Sequence, residues 1–303
     1  MRTLLHIAVA AVVLAAPASG QGTDHSHMDM PGMASHHAAK PVSAKAQQQI
    51  AAVAKANQPL GAAGAAEAAG FKPLFGWIPT MGTHWVDGAK MMMGKQIDLM
   101  SPSQLMFTKI NGRDSLVGAA YAYFTPVADT ARPMSFDGNP SWHEHTTLAP
   151  PGQTLVMLHV WFVPSPDGPF AGTNPNLPFW AAGLAAPDAT KMKDAAYEMK
   201  MRRAGLAIAE TVDSEAVFFP LGRRGRVVPP VLTARRDTVR ALLPELKAAQ
   251  EKKDVAKFDK LTEKAALQWD AMQAAYIGVA KTDGGRARIQ EYFEMLLGEH
   301  GEH

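Results

Sequence analysis

The stretch that decides the fold of this chain is Trp142-His143-Glu144-His145, followed by Leu155-Val156-Met157-Leu158-His159-Val160-Trp161-Phe162-Val163. The second segment is apolar around a single central histidine. It is too short to cross a bilayer, but it has the length of a buried strand. Between the two segments, Ala149-Pro150-Pro151-Gly152 indicates a chain reversal. The pattern therefore predicts an antiparallel hairpin.

The loop length of this hairpin decides which side chains share a face. With a five-residue loop, 149–153, His143 lies opposite His159, and His145 lies diagonal to it on the same face. Three imidazoles can then share a metal ion, because cross-strand neighbours have Cβ atoms about 5 Å apart. With a four-residue loop, Glu144 faces His159 instead. Only the first register gives a face with three histidines.

The β region contains four of the eleven histidines of the chain, the fourth being His84. Histidines on neighbouring strands are a typical binding site for zinc, copper, manganese or iron. Since the chain has no cysteine, a metal would need histidine, carboxylate or methionine ligands. We therefore predict a divalent transition metal, zinc or copper, at His84, His143, His145 and His159. Glu144 is a further candidate, as a supporting partner or general base.

Two alternatives to a metal site remain open at this point. The histidines can be hydrogen-bonded groups of the protein core, or they can be scattered without a shared role. Trp85, Trp142 and Trp161, which neighbour these histidines, fit either case, because aromatic side chains also pack sheets.

Composition and the N-terminus predict an exported, folded protein. The chain has 303 residues, of which 47% are hydrophobic and 19% charged, as in ordinary proteins with a core. A formal net charge of +2, without a long basic run, argues against nucleic acid as a partner. Residues 1–20 have the basic start, apolar stretch and small residues of a signal peptide. We expect a periplasmic or extracellular bacterial protein with no transmembrane segment in the mature chain.

Residues 21–42 are rich in histidine and methionine and include His25-Ser26-His27-Met28-Asp29-Met30-Pro31-Gly32-Met33. Such a segment cannot bury enough apolar surface to fold alone, so we predict disorder. Thioethers and imidazoles are ligands that suit copper, particularly Cu(I). The segment resembles the tails of exported copper-resistance proteins, which implies copper binding. A solvated linker is the alternative.

The rest of the chain divides into a helical or linker segment, 43–70, a β-rich domain, 71–186, and a helical region, 187–303. Together they predict an α+β protein whose small antiparallel sheet or partial barrel covers about 71–180. Within the β region, turn residues separate four short apolar segments. The predicted strands, forming a meander in chain order, are Leu105–Asn111, Ser115–Thr125, Trp142–Leu148 and Thr154–Pro164. The predicted helices are Ser43–Asn57, Asp188–Thr211, Asp254–Lys281 and Arg286–Leu297.

Several motifs resemble a family of exported proteins of unknown function. They are Met81-Gly82-Thr83-His84-Trp85, Leu116-Val117-Gly118, Trp142-His143-Glu144-His145, Met157-Leu158-His159-Val160-Trp161 and Asn174-Pro175-Asn176. One member of that family is a sigma-E-controlled protein that forms a homo-oligomeric ring. The resemblance implies a compact β unit containing these histidines, and ring assembly.

Three functions follow as hypotheses. The first is an exported metal-binding protein that handles copper or zinc. The second is a metal-dependent enzyme acting on a small substrate in the same cavity; His143-Glu144-His145 is similar to the first cupin motif, and the three-histidine hairpin has the ligand order of alpha carbonic anhydrases. The third is a stress-induced homo-oligomeric structural protein.

Overall fold

The computed structural model describes residues 42–140, 142–145, 149–212 and 228–287, and it has the α+β architecture that the sequence predicts. The described strands form one antiparallel sheet in the order β1-β2-β3-β4-β6-β5. Their bounds are β1 Lys72–Ile78, β2 Gly82–Val86, β3 Gln104–Ile110, β4 Arg113–Pro126, β5 His143–His145 and β6 Gln153–Trp161.

The first four strands form a meander, but the predicted continuation of that meander is wrong. β6 pairs with β4 along its whole length, from Gly118 opposite Trp161 to Pro126 opposite Gln153. β5 pairs with the other side of β6 and therefore lies beyond it in the sheet. The apolar run of β6 explains this order, because a strand flanked by two others buries more of its surface than a strand at the edge of the sheet does.

Asn111 and Gly112 form the turn between β3 and β4. Asn111 and Gly112 both have positive φ, at 52° and 75°, and Ile110 pairs directly with Arg113. This is the two-residue hairpin turn that an Asn-Gly pair favours. The turn fixes the register of β3 and β4 at the end where the two strands are joined.

The sheet is bent beside this hairpin. Met106 of β3 pairs with Gly118 of β4, whereas the next residue, Phe107, pairs with Leu116. Val117 is therefore an extra residue in β4, and such a bulge increases the local twist and bends the strand.

Helices cover both faces of the sheet and continue into a separate helical core. Their bounds are α1 Ala44–Asn57, α2 Ala63–Ala68, α3 Gly88–Met91, α4 Leu177–Ala181, α5 Ala195–Val212, α6 Pro230–Glu251 and α7 Val255–Ala280. Ser43 caps α1 by accepting a hydrogen bond from the Ala46 amide, and Asp254 caps α7 by accepting one from the Lys257 amide.

One face of the sheet packs against α1 and α2. Val53 of α1 lies in an apolar cluster with Tyr121, Leu158 and Val160, and Ala66 of α2 packs with a second group on β3. The opposite face, which carries the histidines, is covered partly by α3 and α4. Leu177 of α4 packs there against strand residues of β3 and β6 and connects the sheet to the helices that follow.

The C-terminal helices have their own core, built mainly from α5, α6 and α7. Helix α6 was not predicted from the sequence, and α5 begins at Ala195, seven residues after the predicted start at Asp188. In the described part of the chain, no helix has both the length and the apolar character needed to span a membrane.

Several sequence predictions concern residues that the structure leaves undescribed. They are the signal peptide at 1–20, nearly all of the histidine- and methionine-rich segment at 21–42, and most of the helix at Arg286–Leu297.

Candidate metal centre

The four histidines of the β region lie on one face of the sheet. His159 of β6 pairs with Ala120 of β4, which pairs with Gln104 of β3 and so places all three on the same face. His84 of β2 pairs with Met106, the neighbour of Gln104 two residues further along that face. We call His84, His143, His145 and His159 the histidine cluster.

Curvature of the sheet brings His84 to His159. Their strands are three positions apart, which in a flat sheet is about 14 Å and more than two imidazole side chains can bridge. Their Nε2 atoms are nevertheless 3.4 Å apart, so the face that carries them is concave. Between them, β4 presents only Gly118, Ala120 and Ala122, whose small size leaves room for the two rings.

The His84–His159 pair has the geometry of two ligands of one metal. Two nitrogens bound to tetrahedral zinc at 2.0–2.1 Å are about 3.4 Å apart, and the centres of their rings are then about 5 Å apart. The observed distances are 3.4 Å between the Nε2 atoms and 5.4 Å between the ring centroids. A separation of 3.4 Å is long for a hydrogen bond, since N–H donors usually lie about 2.7–3.2 Å from their acceptors.

The tautomer of His159 follows from its other nitrogen. Nδ1 lies 2.8 Å from the carbonyl oxygen of Gly172 and donates its hydrogen to it. In the neutral ring, Nε2 then carries a lone pair directed at His84. A backbone carbonyl that accepts from the second ring nitrogen is the usual support of a metal-binding histidine, because it fixes the tautomer and the orientation of the ring.

His84 lacks this support. Its Nδ1 is buried and has no hydrogen-bond partner among the described residues. The Gly82 backbone raises the pKa of His84, but by less than burial lowers it. If Nδ1 carries the proton, the two facing Nε2 atoms present lone pairs to each other, an arrangement that a cation between them would stabilise.

His143 and His145 extend the histidine cluster toward the surface. The ring centroid of His143 lies 5.0 Å from that of His159 and 5.0 Å from that of His145. Both rings are only partly buried, whereas His84 and His159 are 6% and 2% exposed. The cluster therefore leads from a buried pair to a side chain in contact with solvent.

Neither predicted register of the histidine hairpin is correct. His143 pairs with Met157 and His145 with Leu155, so β5 is shifted by two residues relative to the five-residue loop that placed His143 opposite His159. A shift of two residues keeps every side chain on its face. The predicted histidine face is thus present, with His143 diagonal to His159 instead of opposite.

The described structure places Glu144 apart from the histidine cluster. As the residue between His143 and His145 in β5, it points to the opposite face of the sheet. Its carboxylate forms an ion pair with Arg132 at the surface.

Burial keeps the histidine cluster neutral at physiological pH. Burial, together with the neighbouring imidazoles, lowers the pKa of His84 to about 4 and the pKa values of His143 and His159 to about 3. Burial also lowers the pKa of His145. Neutral imidazoles have a free lone pair, so protons do not compete with a metal at neutral pH.

Residues 169–174, which follow β6, lie against His159 and Trp161. Their carbonyl groups accept hydrogen bonds from the Trp161 amide, the Trp161 indole and His159 at 2.7–2.8 Å. Asn174 anchors the segment by donating from its backbone to Thr80 and from its side chain to Pro164. Hydrogen bonds thus hold this irregular segment in place beside the histidine.

The residues other than histidine that line the concave face were not identified from the sequence. Gln104 is 1% exposed, and its Oε1 has no hydrogen-bond partner among the described residues. Gly118, Ala120 and Ala122 are small residues at every second position of β4. That alternation is a sequence signal for a face approached closely by other groups.

In the described part of the chain, no group of three or more His, Asp or Glu side chains is already arranged to hold a metal ion. The facing pair therefore needs movement of a third side chain to become a complete site. Comparison with known proteins adds no assignment, since no protein-family model, curated protein or solved structure matches this chain. The resemblance to an exported family stays a prediction.

Proposed function

We propose that this is an exported metal-binding protein whose histidine cluster holds a transition metal. The observation that carries the proposal is the 3.4 Å separation of the His84 and His159 Nε2 atoms, which is the spacing of two ligands around one tetrahedral ion. The signal-peptide pattern at 1–20 supports export.

His143 is the proposed third ligand. Its ring centroid is 5.0 Å from that of His159, about the spacing expected for two imidazoles on the same ion. A rotation of the partly buried ring would direct a nitrogen toward the facing pair without moving the strands. His145, next to it and nearer the surface, would receive the incoming ion.

The histidine- and methionine-rich residues 21–42 are proposed to buffer or deliver the metal. Their thioethers and imidazoles are ligands suited to copper. The enzyme and ring-assembly hypotheses are alternatives that stay predictions.

Metal analysis of the purified protein, made without a histidine tag, tests the proposal. After loading with zinc or copper and gel filtration, we expect the wild type to retain at least one more equivalent of metal than a His143→Ala, His159→Ala double variant. Bound metal should also raise the melting temperature of the wild type, because a ligand of the folded state stabilises it.

Glu144→Gln is the matched control, since Glu144 lies between two of the histidines but faces the other side of the sheet. It should retain the same amount of metal as the wild type. Equal metal contents in the wild type and the double variant, with no change in melting temperature, would refute the proposal.

A further inference from the structure

We infer that the metal of the histidine cluster is Cu(I), and that the Met157 thioether binds it together with His84, His143 and His159. This inference rests on the proposed function and goes beyond it by naming the metal and a sulfur ligand.

The position of Met157 in the sheet is the first argument. It pairs directly with His143 across β5 and β6, and directly opposed side chains have Cβ atoms about 4.5–5.5 Å apart. It is also two residues from His159 in the same strand, so the two side chains point to the same face. Met157 is thus adjacent to two of the proposed ligands at once.

The surroundings of Met157 leave its side chain able to adjust. It is 7% exposed and packs with Met91, Ala120, Ala122 and Leu155. The two alanines take up little of the space over β4. A methionine side chain has three rotatable bonds and adapts to such a space at small cost, so its sulfur can approach an ion beside it.

Further methionines line the same face. Met106 pairs directly with His84, and its terminal methyl group lies over Gly118, in the space that a larger residue would fill. The Met91 sulfur lies 3.7 Å from the side-chain nitrogen of Gln104. The described surroundings of the histidine cluster thus offer soft thioether groups.

The charge of the site also favours a monovalent ion. Glu144 faces away and pairs with Arg132. The side chains paired with His84 and His143 on the same face, Met106 and Met157, are uncharged. The described ligand set of three imidazoles and a thioether is therefore neutral. Burying a charge without a counter-charge is costly, so a single positive charge is accommodated more easily than two. Soft neutral ligands likewise select Cu(I).

The test compares the affinities of Cu(I) and Zn(II) for the full chain. Under anaerobic conditions, a chromophoric Cu(I) chelator competes with the protein, and a zinc chelator is used in parallel. The His143→Ala, His159→Ala double variant measures the Cu(I) bound elsewhere, including residues 21–42. We expect Met157→Leu to weaken Cu(I) binding to the cluster by about tenfold or more while zinc affinity changes by less than about twofold.

Met201→Leu is the matched control, because Met201 is fully buried in the helical core, where no histidine of the cluster lies. Exchanging methionine for leucine conserves volume, and circular dichroism checks that both variants are folded. X-ray absorption of the Cu(I)-loaded wild type gives a second readout, in which we expect sulfur in the first coordination sphere and its loss in Met157→Leu.

The outcomes separate the two proposals. If Cu(I) affinity is the same in Met157→Leu and wild type, or if copper is surrounded by nitrogen alone, the inference is wrong, although a zinc-binding cluster would still support the proposed function. If the wild type binds neither ion at the histidine cluster, the proposed function itself fails.

Discussion

Acid should destabilise the metal-free protein through its buried histidines. In an unfolded chain each histidine has a pKa near 6.5, whereas the folded chain lowers the pKa of His84 to about 4 and those of His143 and His159 to about 3. Below pH 6.5 the unfolded state therefore binds protons that the folded state does not. The stabilisation is complete above pH 6.5 and is lost as the pH falls toward the folded pKa values.

The size of this effect follows from the number of protons. Each histidine contributes about 1.4 kcal/mol per pH unit to the free energy of unfolding, so His84, His143 and His159 together contribute about 4 kcal/mol per unit between pH 6.5 and 4. That is a large part of the roughly 5–15 kcal/mol by which proteins are usually stable. With an m-value of about 4 kcal/mol/M, the guanidinium midpoint should fall by about 1 M per pH unit.

Guanidinium unfolding of EDTA-treated protein, followed by tryptophan fluorescence at pH 7.5, 6.5 and 5.5, measures the effect. His143→Gln removes one of the three groups and should reduce the dependence on pH by about a third. Met201→Leu, in the helical core, should keep the wild-type dependence. A midpoint that stays constant from pH 7.5 to 5.5 would show that the imidazoles are not buried together in the neutral form.

Two further predictions concern the frame around the site. Gly82→Ala should destabilise the fold by about 2 kcal/mol or more, because Gly82 has a φ of 75° and a Cβ there would lie 2.4 Å from the Phe107 carbonyl oxygen. Gly138→Ala is the control, because Gly138 has a similar φ of 81° but nothing near its Cβ position, and it should cost only about 1 kcal/mol. Thermal unfolding measures both variants, and equal losses of stability would contradict the steric argument. Tyr121→Phe should cost about 1 kcal/mol, because the hydroxyl donates a 2.5 Å hydrogen bond to the carbonyl of Leu99; an unchanged melting temperature would show that this bond adds nothing to stability.

Features with local causes could be predicted from the sequence. Ser43 and Asp254 signal helix starts because their side chains accept from backbone amides one turn ahead. Asn111-Gly112 signals a hairpin because both residues accept positive φ. In each case the interaction lies within a few residues of the signal.

Long-range arrangement was harder to predict. The sequence offers no local reason for β6 to lie between β4 and β5, since that order depends on burial of the whole sheet. β1 was missed because Pro73 and Gly76 interrupt its strand pattern. The helix from Pro230 was missed because a Pro-Pro pair reads as a loop, although proline is also favoured in the first helical turn.

The candidate site shows the same division. The alternation of His143 and His145, with His159 in a neighbouring apolar strand, predicted a shared histidine face. The contact of His84 with His159, 75 residues later in the chain, depends on curvature that no single segment encodes. The pairing of Met157 with His143 depends on a register that the undetermined loop length left open.

The row of small residues on β4 has a consequence for how natural variation in this protein should be interpreted. Gly118, Ala120 and Ala122 contribute no donor atom, yet they set the clearance above the strand. A valine at Ala120 would occupy that space and push the imidazole rings apart, although all four histidines would still be present in the sequence. Metal binding would then be lost through a substitution at a residue that is not itself a metal ligand. Comparing only the ligand residues between variants would not reveal such a loss.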